Sequence, residues 1–270
     1  MARFAPRGLI KGLSSALSFC AIIFCVARDG GHFPFSSIDP MDVDIATNLE
    51  QVRTRIAESA RRAGRAPEEV LMLAVSKTHS PEVIREAVAA GQTDFAESKV
   101  QEARIKIPEL PSRLRWHFIG HLQSNKVRQV LSLFQVIHSV DSIDLVHHLS
   151  RISAEEGLHP RVCLQVNVAG EASKFGFAPA ALLQNLDRIL DLGRLQIEGL
   201  MTVPPLAPKA EDSRRHFIRL RELRDEIERR TGIRLPHLSM GMSHDYPVAV
   251  EEGATMVRIG TAIFGERRRA

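Results

Sequence analysis

The sequence predicts a single (β/α)8 barrel, and three observations predict it. From Met41 onward, eight short apolar runs alternate with helical stretches. Most of the gaps between those runs are long enough for a helix and two loops. No linker, internal repeat or low-complexity segment interrupts residues 41–265. A doubly wound open sheet is the main competitor, but it calls for a glycine-rich turn after its first strand. Here that turn is Ser76-Lys77-Thr78-His79-Ser80-Pro81, without glycine.

The elements follow in order. Residues 44–63 place Ile45, Leu49, Val52, Ile56 and Ala60 at helical spacing, and Gly64 ends the run. Strands are expected at 70–75, 93–96, 116–119, 136–139, 162–168, 196–201, 237–240 and 256–259. Pro81, Pro179 and Pro247 stand near the starts of intervening helices, where proline is tolerated.

Composition narrows the class. A chain of 270 residues with 44% hydrophobic content fits one large domain or two small ones. The formal net charge of +4 is partly terminal, in Arg267 to Arg269, and the other charges interleave along helical faces. With one Trp and one Tyr to stack on bases, a nucleic-acid surface is not expected. Cys20, Cys25 and Cys163 form neither a CxxC pair nor a metal spacing, which reads as an intracellular protein with reduced thiols. Cys163 reads as core. Residues 1–28 lack acidic residues and carry Arg3, Arg7, Lys11 and Arg28. Their apolar run, 13–27, is too short and serine-broken for a membrane span. It resembles a signal or transit segment. Met41 also opens a good helix start, so translation beginning there is the favoured reading. In each case residues 1–40 lie outside the fold, the barrel occupies 41–270, and a cytoplasmic protein is expected, with organellar targeting by 1–40 as the alternative.

In such a barrel, chemistry sits at the C-terminal strand ends. The first strand runs through five apolar residues into Ser76 and Lys77. A lysine held at a barrel rim is partly desolvated, which favours the neutral amine that attacks an aldehyde. The bland alternative is a lysine snorkelling into water. Strand two ends at Glu97-Ser98, strand three at Gly120-His121, strand four at Ser139 and Asp141, strand five at Asn167, and strand six at Met201-Thr202. Strand seven ends in Ser239-Met-Gly-Met-Ser243, and strand eight carries Arg258, Gly260 and Thr261. Small and hydroxyl residues after strands seven and eight suit a phosphate group, which backbone N–H groups and close backbone approach would hold.

Several motifs together resemble the YggS/PROSC family of pyridoxal phosphate (PLP) homeostasis proteins. They are Ala-Val-Ser-Lys77, Val100-Gln-Glu102, His117-Phe-Ile-Gly, Leu122-Gln-Ser-Asn-Lys126, Gly199-Leu-Met201, Ser239-Met-Gly-Met-Ser243 and Arg258-Ile-Gly-Thr-Ala-Ile-Phe-Gly265. They stand in family order across residues 45–267. The resemblance implies a barrel like the N-terminal domain of alanine racemase, with PLP as an aldimine on Lys77. It implies phosphate contacts from Ser243, Gly260 and Thr261 with help from the Met242 backbone, and it places Arg258 against the pyridine nitrogen. An arginine there only donates, so the nitrogen stays unprotonated and the ring is a poor electron sink. The other reading of Arg258 is a core ion pair with Asp141 or Glu97. Two departures stand out. The family's Gly-Glu-Asn-Tyr is here Ala96-Glu97-Ser98-Lys99, which puts a shorter Ser98 near the cofactor. Pro247 also replaces an acidic residue.

The remaining candidates read as structural. His117 and His121 straddle a strand end as satisfied rim histidines, and no metal site is expected. Asn125 and Lys126 open a helix, Lys174 is solvated and Asp245 caps the helix after it. A racemase needs a second acid/base on the opposite face of the substrate carbon. Alanine racemases take a tyrosine from a second domain; here that domain is missing and Tyr246 is the one tyrosine. The expectation is therefore a PLP binder without strong catalytic activity, serving intracellular PLP homeostasis. It would exchange PLP and other B6 vitamers with apo-enzymes as a monomer. A low-activity PLP-dependent racemase or lyase is the alternative, and a PLP-free barrel acting on sugar phosphates is the third reading.

Overall fold

A computed structural model describes residues 43–171 and 173–266. The described residues belong to one compact unit, Asp42–Ala270. The expectations for residues 1–40, including Cys20 and Cys25, lie outside the described residues. Eight parallel strands close into a barrel in sequence order, with β1 pairing β8. They are β1 Leu71–Val75, β2 Asp94–Glu97, β3 Arg115–Phe118, β4 Val136–Val140, β5 Arg161–Gln165, β6 Gln196–Met201, β7 His237–Met242 and β8 Met256–Ile259. The helices are α1 Ile45–Arg62, α2 Pro81–Ala89, α3 Val100–Lys106, α4 Val127–Leu133, α5 Ile143–Glu155, α6 Pro179–Leu190, α7 Arg214–Thr231, α8 Tyr246–Glu251 and α9 Thr261–Phe264. Among them, no helix of the described residues is long and apolar enough to cross a membrane.

Local chemistry accounts for the element ends. Asp44 caps α1 by accepting from the Thr47 N–H at 2.9 Å. The apolar stripe of α1 (Ile45, Leu49, Val52, Ile56, Ala60) is buried as its spacing requires. Proline occupies the first turn of α2, α6 and α8. Strand β5 is shorter than its apolar run, ending at Gln165 instead of continuing to 168. The following loop folds back, so Phe177 N–H donates to Gln165 O and Asn167 N–H donates to Phe177 O. That return pairing takes the backbone groups that a longer strand would have used.

Strand alternation sorts side chains into two populations. Outward residues such as Ala74, Phe95, Trp116, Phe118, Ile137, Leu164, Leu200, Leu238, Val257 and Ile259 pack with the helices in one continuous apolar layer. Inside the barrel, the apolar cluster is small: Leu73, Val75, Ala96 and Met256. Val136, Cys163 and Met201 share the inward register, and beside them the interior holds buried polar side chains, His117, His138, Ser239 and Arg258.

Candidate functional site

The mouth of the barrel is built where the chain closes on itself. Leu73 and Val75 face the interior, and parity carries Lys77 onto the same face at the end of β1. Lys77 is half-buried and begins a tight turn, with His79 N–H donating to Ser76 O at 3.1 Å. Its neighbour Thr78 has φ of 70°, in the left-handed region that a β-branched residue adopts only when its surroundings hold it there. The holding group is Glu102, whose Oε2 accepts the Thr78 N–H at 2.8 Å. Glu102 is itself bridged by Lys99 at 3.2 Å and Lys106 at 3.3 Å.

Beneath this turn lies a buried ion pair. Lys106 Nζ donates to Glu97 Oε1 and to Ser76 O, each at 3.0 Å, and Ser76 Oγ donates to the same Oε1 at 2.8 Å. Glu97 Oε2 has no hydrogen-bond partner among the described residues. Burial raises the Glu97 pKa, and Lys106 opposes that rise. The backbone before Lys77 is thus tied to α3, while parity turns the lysine itself to the interior face.

Strands β7 and β8 supply the other side. Ser243 Oγ accepts from Gly260 N–H at 3.1 Å and from Ala262 N–H at 3.3 Å, joining the two loops. A Cβ on Gly260 would lie 3.6 Å from Val75, so this loop rests directly against β1. The ring of His79 packs on Phe264 of α9 at 4.8 Å. Thr261 opens α9 and is exposed. The Met242 N–H is occupied by Asp245 Oδ1 at 2.8 Å. Asp245 therefore braces the β7 loop and does not cap α8 with its side chain, contrary to the sequence expectation.

Arg258 lies under this rim, 3% exposed. Its Nη1 donates to Ser239 Oγ and its Nη2 to Thr202 O, each at 2.7 Å. Burial lowers its pKa to about 10, which leaves it charged at neutral pH. The core ion pair weighed for Arg258 does not form, because Asp141 meets His121 at 2.9 Å and Glu97 meets Lys106.

Lys77, Ser243, Arg258, Gly260 and Thr261 thus converge on three contiguous strands, β7, β8 and β1. Ser98 follows β2, the next strand round. Its carbonyl would be 2.0 Å from any Cβ at position 120, so glycine is required there for the two loops to meet. His117 differs from expectation. It is not at the rim but buried in the interior, facing His138 at 2.9 Å. His121 does sit at the rim, stacked on Phe175 at 3.7 Å. Lys174 is exposed, and Asn167 staples the loop after β5 by donating to Glu171 O and Lys174 O. Cys163 is buried in β5, its thiol pushed up to about 12 by burial. Among the described residues no group of His, Cys, Asp or Glu could hold a metal ion. Sequence reasoning missed Lys106, His138 and the partners of Arg258. The inward parity of His117, between outward Trp116 and Phe118, and of His138, after outward Ile137, was the available signal.

Comparison with known proteins agrees with this geometry. The family model "Alanine racemase, N-terminal domain" matches residues 47–268. The chain is similar to the pyridoxal phosphate homeostasis protein of Pseudomonas aeruginosa, 48% identical over 227 residues, covering 83% of this chain and 96% of that one. The protein of the same description from Aquifex aeolicus is 44% identical over 221 residues, covering 82% and 97%. Among solved structures, PipY of Synechococcus elongatus with PLP bound superposes with a TM-score of 0.72 at 41% identity, over 82% of this chain and all of that one. The chain belongs to the alanine racemase N-terminal domain family and, within it, to the pyridoxal phosphate homeostasis proteins.

Proposed function

We propose that this protein binds PLP and serves PLP homeostasis as a binder and carrier, with Lys77 taking the aldehyde carbon reversibly. The observation that carries the reading is the convergence of a strand-end lysine, a buried arginine and a cluster of hydroxyl and N–H donors on β7, β8 and β1. The relative PipY, solved with PLP bound, supports it.

The residues present fit such a ligand. Arg258 is a donor-only group already fixed by two acceptors, suited to face a pyridine nitrogen. Ser243, Gly260 and Thr261 offer hydroxyl and N–H donors for a phosphate dianion at the opposite end. Ser243 would exchange its two internal N–H contacts for that anion, and Met242 N–H would be freed only if Asp245 yields. Ser98 is the remaining contact, from the β2 loop. When bound, PLP supplies a reactive aldehyde and a conjugated ring. Lys77 would hold the aldehyde reversibly, and Arg258, which can only donate, would leave the ring nitrogen without the proton that carbanion chemistry needs.

The position of the one tyrosine supports carriage over turnover. Tyr246, the one tyrosine of the sequence, is 2% exposed and lies beside Arg55 of α1, so it does not stand at the mouth. We read the protein as a cytoplasmic monomer that passes PLP and related B6 vitamers to apo-enzymes. Residues 41–270 would suffice for folding and binding.

The test is an absorbance spectrum before and after borohydride, with mass mapping of the peptide that gains a pyridoxyl group. The purified protein should be yellow and the label should fall on Lys77. Labelling elsewhere, or a yellow band that survives Lys77→Ala, sinks the assignment. Robust PLP-dependent racemisation of amino acids would overturn the carrier reading.

A further inference from the structure

Behind Arg258 a row of buried polar side chains runs through the barrel interior to its opposite end. Arg258 Nη1 donates to Ser239 Oγ at 2.7 Å, and Ser239 Oγ meets His138 Nδ1 at 2.8 Å. His138 Nε2 meets His117 Nδ1 at 2.9 Å. His117 Nε2 lies 3.6 Å from Asp94 Oδ1, longer than a full hydrogen bond but close enough to orient the ring. Asp94 then takes Arg115 Nε at 2.6 Å and Nη2 at 2.7 Å at the N-terminal end of the barrel.

The Asp94 carboxylate at the far end gives this row its direction, since the Ser239 oxygen, with two lone pairs, could by itself accept from both Arg258 and His138. Arginine has only donors, so Ser239 oxygen accepts from Arg258. The Ser239 hydroxyl proton then has His138 Nδ1 as its acceptor. A neutral His138 keeps its proton on Nε2 and donates to His117 Nδ1. His117 in turn keeps its proton on Nε2, turned to the carboxylate. A bare ring nitrogen facing Asp94 would be repelled instead. Against the cost of its burial, Asp94 is held ionised by hydrogen bonds from Arg115 and Thr93 and by the nearby His117 ring. His138 stays neutral because burial, His117 and Arg258 all disfavour a charge there. Every proton points from Arg258 towards Asp94.

We propose that Ser239, His138, His117 and Asp94 are positioning residues for Arg258, a one-way hydrogen-bonded row anchored by the Asp94–Arg115 pair at the far end of the barrel. The row fixes which Arg258 N–H groups face inward and which remain for a ligand at the mouth. It rests on the reading of Arg258 as facing the PLP ring, but its core is a statement about two histidine tautomers that needs no ligand.

The test uses full-length protein labelled with 15N-histidine and freed of PLP by hydroxylamine and dialysis. His117 and His138 are assigned with His117→Gln and His138→Gln. At pH 7 both should show a protonated Nε2 and an unprotonated Nδ1. A protonated Nδ1 at either ring overturns the row, whatever becomes of PLP binding. Asp94→Asn, close to isosteric, should shift the His117 signals and speed PLP release about tenfold, the loss of one charge-assisted contact. Ser239→Ala should also free PLP faster and release the His138 tautomer. If both tautomers are as assigned but neither variant changes PLP release, the row does not position Arg258. Melting curves separate these outcomes from loss of folding. A protein that binds no PLP at all fails the functional reading and leaves the tautomer result standing.

Discussion

The layer outside the strands and the space inside them are made of opposite materials. Outside, Phe95, Phe118, Leu149, Leu182, Phe217 and Leu200 form a continuous apolar layer. Inside, a small apolar cluster of four residues shares the space with buried histidines, a serine, a carboxylate and an arginine. The difference teaches where stability and function are kept. Burial of aliphatic and aromatic groups favours folding at about 25 cal/mol per Å². A buried polar group contributes little net, even when satisfied. The interior therefore gives up stability in return for fixed donors and acceptors, and the outer layer carries the fold.

The sharpest way to break this comparison is to damage the outer layer alone. Phe217→Ala, at a fully buried position on α7, should cost about 3–5 kcal/mol in a urea titration. PLP bound per folded molecule should stay unchanged. A loss under 1 kcal/mol, roughly the size of a surface change, would mean that the layer does not carry the fold as argued.

One polar island intrudes into the outer layer, and removing half of it comes next. Lys106→Met leaves Glu97 buried and uncompensated, with an expected cost of about 3 kcal/mol. The double variant Glu97→Gln with Lys106→Met should recover part of that. If the double variant is worse than the single, the pair stabilises the turn at Lys77 in some other way.

Interior histidines should show themselves through pH. The pKa of His138 lies well below its ordinary value because it is buried. Below the unfolded pKa of about 6.5, the unfolded chain binds a proton that the native chain refuses, so stability falls as pH drops, by up to about 1.4 kcal/mol per pH unit. Between pH 7 and 5 the urea midpoint should decline, and His138→Gln should flatten the slope by that share. His216 and His237, lowered less by partial burial, will leave some slope behind. A profile unchanged by the substitution would show that His138 already protonates inside the barrel.

The smallest effect is expected at the turn. Thr78→Gly relieves a left-handed backbone but adds freedom to the unfolded chain, for a net gain of about 1 kcal/mol or less. It should also loosen Lys77 and shorten PLP retention. Stabilisation with retention unchanged would mean that the strain there is incidental.

Much of this was legible in the sequence because strand alternation and strand-end chemistry are local. All eight strands follow from apolar runs, and Lys77, Ser243 and Gly260 announce themselves by standing where those runs stop. What could not be read was set by partners distant in sequence. His117 looked like a rim residue because its partner, His138, comes from the neighbouring strand, 21 residues on. Arg258 was offered two carboxylates, but Lys106 and His121 had already taken them. Strand β5 ends early because Phe177, twelve residues past Gln165, returns to pair with it. Thr78 carries no hint of its left-handed backbone, which depends on Glu102 reaching back from α3.

The seam between β1 and β8 has a consequence for time. Lys77 emerges early in synthesis, whereas Arg258 and Gly260 belong to the last strand and its loop. A ribosome paused before residue 256 would display the lysine with nothing to hold a phosphate beside it. Loading with PLP would thus report that the final strand has docked, and unfinished chains would come away empty.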